Sequence, residues 1–139
     1  MQLLKRQPRH AILSFAKYNW AINNHSELKD SCAENVGALN SDDLKTQISA
    51  IRSLAALCFL ELNDPKGVSP ELLRLFEELA VTSPLEEVRM ESIDALYLAR
   101  DITRLMSISA IFSVSESSEV SLYCSKAVSD LVKELRSSN

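Results

Sequence analysis

Apolar residues recur along this chain every three to four positions, the spacing of an amphipathic helix and not of a strand. The clearest run extends from Asp43 to about Leu62, with Leu44, Ile48, Ile51, Leu54, Ala55, Cys58 and Leu62 forming a broad stripe. A stripe that wide predicts a helix packed against two neighbours. Ser69-Pro70-Glu71 predicts the start of the next helix: a capping hydroxyl, a first-turn proline and an acid facing the helix dipole. Its apolar side is Leu72, Leu73, Leu75, Phe76, Leu79 and Ala80. Ser83-Pro84-Leu85-Glu86 reads as a capping box opening a helix that runs to about Arg100. Asp101 introduces a partner helix over 102–114, apolar at Ile102, Leu105, Met106, Ile108, Ile111 and Phe112. A serine-rich link, 115–118, precedes a last helix from Glu119 to about Arg136.

The first forty residues carry a weaker form of the same pattern. Ile12, Phe15, Ala16 and Trp20 predict a helix over 9–24 behind Pro8. Ser26 is the expected cap of a second helix ending near Leu39, with Leu28, Cys32, Val36 and Leu39 on one face. Two glycines and four prolines in 139 residues leave too little turn chemistry for an all-β domain. The expected architecture is therefore all-α, about seven helices in a single domain spanning 1–139.

Three helices share a short pattern. Residues 46–54 read TQISAIRSL, 88–96 read VRMESIDAL and 120–128 read VSLYCSKAV. The fifth position is small in each (Ala50, Ser92, Cys124), as is the eighth (Ser53, Ala95, Ala127), and the ninth is aliphatic (Leu54, Leu96, Val128). Ala50 and Ser92 stand 42 residues apart, and Ser92 and Cys124 stand 32 apart, near the length of a two-helix repeat. Val88-Arg89, Ser92 and Ala95-Leu96 resemble the HEAT repeat family, whose repeats carry a Val-Arg pair, a small residue and then Ala-Leu. Gln47 and Ser121 replace the arginine in the other copies. The resemblance covers roughly 42–134 and implies a short α-solenoid of antiparallel helix pairs, with 1–40 as degenerate or capping helices. It further implies an extended surface suited to a large partner. The motif helices are expected on the outer row, with 70–81 and 102–114 on the inner one.

Charge narrows the partner. Nineteen acids against fifteen bases give a net charge of −4, which opposes nucleic acid and favours a basic protein. Eight acids and three bases fall between Glu71 and Asp101. Glu71 and Glu78 share a helix face with Arg74 between them, and Glu87, Glu91 and Asp94 form a second row. These six residues are the expected contact set, either as a solvated helix face or as a patch that captures a basic partner. No acid precedes Glu27, whereas Lys5, Arg6, Arg9 and Lys17 do, beside Tyr18 and Trp20. That start reads as an ordinary helix, with a transit peptide or a nucleic-acid contact as alternatives.

Catalytic chemistry is sparse. His10 and His25 are separate and lack acids at metal spacing, and no GxSxG, SxxK or glycine-rich loop occurs. Cys32, Cys58 and Cys124 form no CxxC pair and read as packed thiols of a reducing compartment. No apolar run reaches the ~20 residues of a membrane span. The expectation is a cytoplasmic, non-enzymatic protein that needs no cofactor or metal and takes no small-molecule substrate. Its role would be a stand-alone inhibitor or immunity protein that neutralises a basic, nuclease-like toxin. An adaptor or assembly subunit is the alternative, and a nucleic-acid-binding protein using the basic start is the second.

Overall fold

A computed structural model describes residues 23–63, 67–114 and 119–137. The expected helix over 9–24, but for its last two residues, the link at 115–118 and most of the loop after Asn63 lie outside the described residues. Within them the chain is helical throughout and contains no strand. Seven α-helices follow one another: α1 (His25–Asp30), α2 (Cys32–Ala38), α3 (Leu44–Leu60), α4 (Pro70–Thr82), α5 (Glu86–Leu98), α6 (Ile102–Val114) and α7 (Glu119–Ser137).

The expected second helix is in fact two. Ser31, at φ −93° and ψ 3°, bends the run between α1 and α2 while backbone bonds from Ser31 to Glu27 and Asn35 to Ser31 carry across. Ser26 lies inside α1, and Asn24 occupies the cap position without a side-chain bond to the helix's first amides. Asp43 caps α3, its Oδ2 accepting from Thr46 N at 3.0 Å and from Thr46 Oγ1 at 2.6 Å. Those bonds, the hydroxyl's foremost, hold the Asp43 carboxyl below its ordinary range. Ser69 caps α4 with Pro70 in the first turn, as the sequence predicts.

Ser83 departs from prediction. Its N–H closes α4 on Leu79 O, and its Oγ accepts from Leu85 N at 3.2 Å. The hydroxyl is thereby used two residues before α5 begins, and Leu85 takes the cap position with no side-chain bond. No capping box forms. At the far end α5 closes in a Schellman turn: Arg100 N–H reaches Tyr97 O and Asp101 N–H reaches Leu96 O. Arg100 holds φ 61°, a left-handed conformation usually given to glycine. Asp101 then caps α6 through Oδ1 to Arg104 N at 3.1 Å. One residue thus ends one helix and starts the next.

Helix α5 is the centre. It packs on α3, α4, α6 and α7, while α4 also meets α6 and α6 lies against α7. Nine of its thirteen residues are buried, so it has almost no solvent side. The main apolar cluster runs from Leu39 through Ile51, Leu54, Phe76, Ile93 and Leu96 to Leu105, Ile108 and Leu131, and a smaller one joins Leu28 of α1 to Ala56 and Leu57 of α3. Each such side chain contributes about 1.5–3 kcal/mol by leaving water.

The three motif helices are α3, α5 and α7, and α5 touches both others. Ala50, Ser92 and Cys124 are all buried, with Ala95, Ala127, Leu54 and Leu96 around them. Ser92 Oγ donates to Val88 O at 2.8 Å, so its hydroxyl is satisfied within its own helix. Cys124 Sγ donates to Leu105 O at 3.5 Å. On α6 the predicted apolar side is too wide: Leu105, Ile108 and Phe112 are buried, but Met106 and Ile111 are exposed. No helix among the described residues is long and apolar enough to cross a membrane.

Candidate functional site

The acidic residues singled out by the sequence divide into two groups with different surroundings. Glu71, Arg74 and Glu78 lie exposed on α4. Arg74 holds both acids at once, with NH2 2.5 Å from Glu71 Oε1 and NH1 2.9 Å from Glu78 Oε2. The guanidinium, through its hydrogen bonds and then its charge, keeps the Glu71 carboxyl below its usual range. Glu87, with Glu86 beside it, is exposed in the first turn of α5, the helix that packs on α4. Four exposed carboxylates and one exposed guanidinium thus lie on two adjoining helices.

Glu91 and Asp94 do not belong to it. They are 4% and 2% exposed, so the expected row Glu87–Glu91–Asp94 is not a solvated face. The reason is that α5 has a helix on each side, and its polar row closes the joints with them. Arg52 of α3 donates to Glu91 through Nε at 3.1 Å to Oε1 and NH2 at 2.8 Å to Oε2. On the other side Tyr123 of α7 donates its hydroxyl to Asp94 Oδ1 at 2.6 Å. Further along, Tyr97 bonds Glu134, which Arg100 NH1 approaches at 3.3 Å.

The two joints obey one rule. Arg52 and Asp94 occupy the seventh position of their motif copies, and Glu91 and Tyr123 occupy the fourth position of the next copy. The seventh position of one helix therefore meets the fourth of its successor. Arg52, Tyr97, Tyr123 and Glu134 escaped the sequence reading. One signal was available: the seventh position is charged in all three copies, as Arg52, Asp94 and Lys126.

His25 is half-buried, and His10 with the basic residues of the chain's start lies outside the described residues. No group of three or more His, Cys, Asp or Glu that could hold a metal occurs among the described residues. Cys58 and Cys124 are buried free thiols, both pushed up to about 12 by burial, and half-buried Cys32 is raised for the same reason. Comparison with protein-family models, with characterised proteins and with solved structures finds no match.

Proposed function

We propose that this chain is a non-enzymatic protein-binding module whose acidic surface captures a basic protein. The role that fits best is a stand-alone cytoplasmic inhibitor or immunity protein that neutralises a nuclease-like toxin. The observation that carries the reading is the set of exposed carboxylates Glu71, Glu78, Glu86 and Glu87 on two adjoining helices, with Arg74 paired to the first two. Exposed charge of one sign steers an oppositely charged partner and speeds its capture. The contact set is accordingly Glu71, Arg74, Glu78 and Glu87, while Glu91 and Asp94 serve the joints between helices.

The architecture proposed for it is a short α-solenoid of HEAT-like antiparallel pairs, with 70–81 and 102–114 on the inner row. The joint rule supports it, because each motif helix touches its successor in the same register. The sixth motif position supports it too. Ile51 and Ile93 are both fully buried, an equivalence of the first two copies that the third, with exposed Ser125, does not share.

The test is charge reversal. Glu71→Lys, Glu78→Lys, Glu86→Lys and Glu87→Lys together should abolish inhibition of DNA cleavage by a basic nuclease domain found bound to the native protein. Calorimetry should show affinity of the unaltered protein falling steeply as salt rises. Affinity indifferent to both would sink the reading.

A second reading, an adaptor or assembly subunit, draws on the apolar side chains exposed on the last two helices: Met106 and Ile111 on α6 and Leu122, 72% exposed, on α7. Association insensitive to salt but lost on Leu122→Ser would favour it.

A further inference from the structure

In α3 and α5 one side of the motif helix is spent on the next motif helix. At the seventh position Arg52 reaches Glu91, and Asp94 accepts from Tyr123. At the tenth position of α5, Tyr97 bonds Glu134. The third position lies one turn before the seventh on the same side. There Ile48 and Met90 pack against the main apolar cluster, and Ile51 and Ile93 at the sixth are fully buried.

In α7 the same positions face outward. Leu122, Ser125, Lys126 and Ser129 are all exposed, with 54% of the Lys126 side chain open to solvent. The side continues to Lys133 and Arg136, which are also exposed. Leu122, Lys126, Ser129, Lys133 and Arg136 follow at intervals of four, three, four and three residues, a single helix face. Three of the five are cations and none is an acid. Lys126 Nζ lies 3.2 Å from Asp130 Oδ1, and an ammonium has two further N–H groups to give. The surface carries onto α6: Ser109 Oγ stands 3.5 Å from Ser125 Oγ, and Met106, one turn before Ser109, is exposed.

We propose that this face of α6 and α7 docks an acidic amphipathic helix of a partner protein. The partner helix lies along α7 as α7 lies along α5. Its aliphatic residues cover Leu122 and Met106, and its carboxylates meet Lys126, Lys133 and Arg136. The chemistry repeats the first joint, where a cation at the seventh position takes a carboxylate. Charge selects the occupant. Residues 1–22 of the chain hold no acid to offer. A second copy sets one net charge of −4 against another, and Arg74 already holds its exposed Glu71 and Glu78. Nucleic acid is opposed by the same net charge, and the exposed leucine and methionine give phosphates nothing to bind. Because the face includes Met106 and Leu122, the proposal rests on the adaptor reading and adds to it the sign of the partner's charge.

The test is an amide NMR titration of the full chain with three probes. They are a hydrocarbon-stapled helical peptide with leucine and glutamate at i, i+4 spacing, the same peptide with lysine for glutamate, and oligothymidine. The glutamate helix should saturate and shift the amides of Leu122, Ser125, Ser129 and Lys133, with affinity falling as salt rises. Lys126→Glu with Lys133→Glu, both exposed, should weaken it roughly tenfold and leave the remaining spectrum unchanged. Leu122→Ser should weaken it as well. A shift that never saturates, equal binding of the lysine helix, or tighter binding of oligothymidine overturns the proposal. So does movement of the same amides on dilution alone, which would mean that a second copy covers the face. Loss of binding on Leu122→Ser but not on charge reversal overturns it and leaves the adaptor reading standing; loss on neither removes both.

Discussion

Arg52 and Glu91 meet in a two-point grip across the contact of α3 and α5, at 3.1 and 2.8 Å, although 39 residues separate them in the chain. Their exposures differ: the Arg52 side chain is 36% exposed and that of Glu91 only 5%. Removing the cation strands a buried carboxylate, whereas removing the acid leaves a guanidinium that water can reach. Arg52→Met should therefore cost about 2–4 kcal/mol and Glu91→Leu about 0–2 kcal/mol. Chemical denaturation of the two variants measures the difference, and equal losses would contradict it.

Ser92 is fully buried on α5, which has helices on both sides. Ser92→Leu should cost about 1–3 kcal/mol through overpacking. Leu96→Ala should cost about 2–5 kcal/mol by opening a cavity. Thermal melts that ignore both would refute the close helix contact.

Arg100 adopts φ 61° to close α5. Replacing it by glycine or by alanine removes the same ion pair with Glu134, but glycine alone relieves the backbone. Arg100→Gly should be more stable than Arg100→Ala by about 1 kcal/mol. Matched urea titrations of the pair isolate this term.

The Asp43 carboxyl is depressed by its bonds to Thr46. Because the folded state favours the ionised form, the stabilisation is present above the ordinary carboxylate range. It disappears as pH falls through the lowered value. Asp43→Ala should lower the melting temperature at neutral pH, and the gap from the unaltered protein should narrow in acid. A gap that stays constant with pH would show the cap to be immaterial.

Thiol alkylation should follow burial. Attack requires the thiolate, which Cys58 and Cys124 form only near pH 12 and out of reach of reagent. Mass spectrometry after iodoacetamide at mildly alkaline pH should find Cys32 labelled first and the others only in denaturant. Early labelling of Cys124 would mean that α7 leaves α6 readily.

Much of the fold is written locally. The bounds of α3, α4, α6 and α7 follow from stripes, Ser69-Pro70 and Asp101 because caps and periodicity act within a turn or two. The misreadings share a cause: they concern what a neighbour does. Ser83 resembles a cap, but Pro84 offers no N–H and Leu85 takes the hydroxyl first. Met106 and Ile111 prolong an apolar stripe past the surface that other helices cover. Half of the candidate site was legible, since Glu71, Arg74 and Glu78 interact within one helix. Glu91 and Asp94 were not, because a polar row facing water and one facing a distant Arg52 or Tyr123 have the same spacing.

The two joints beside α5 use different keys, a guanidinium on a carboxylate at one and a phenol on a carboxylate at the other. Excising residues 70–101, so that α3 abutted α7, would set Arg52 against Tyr123 and offer the cation no anion in that register. Arrays with identical joints can be shortened or lengthened by whole modules; here the two joints of α5 are not interchangeable, because each sets a different donor on its carboxylate.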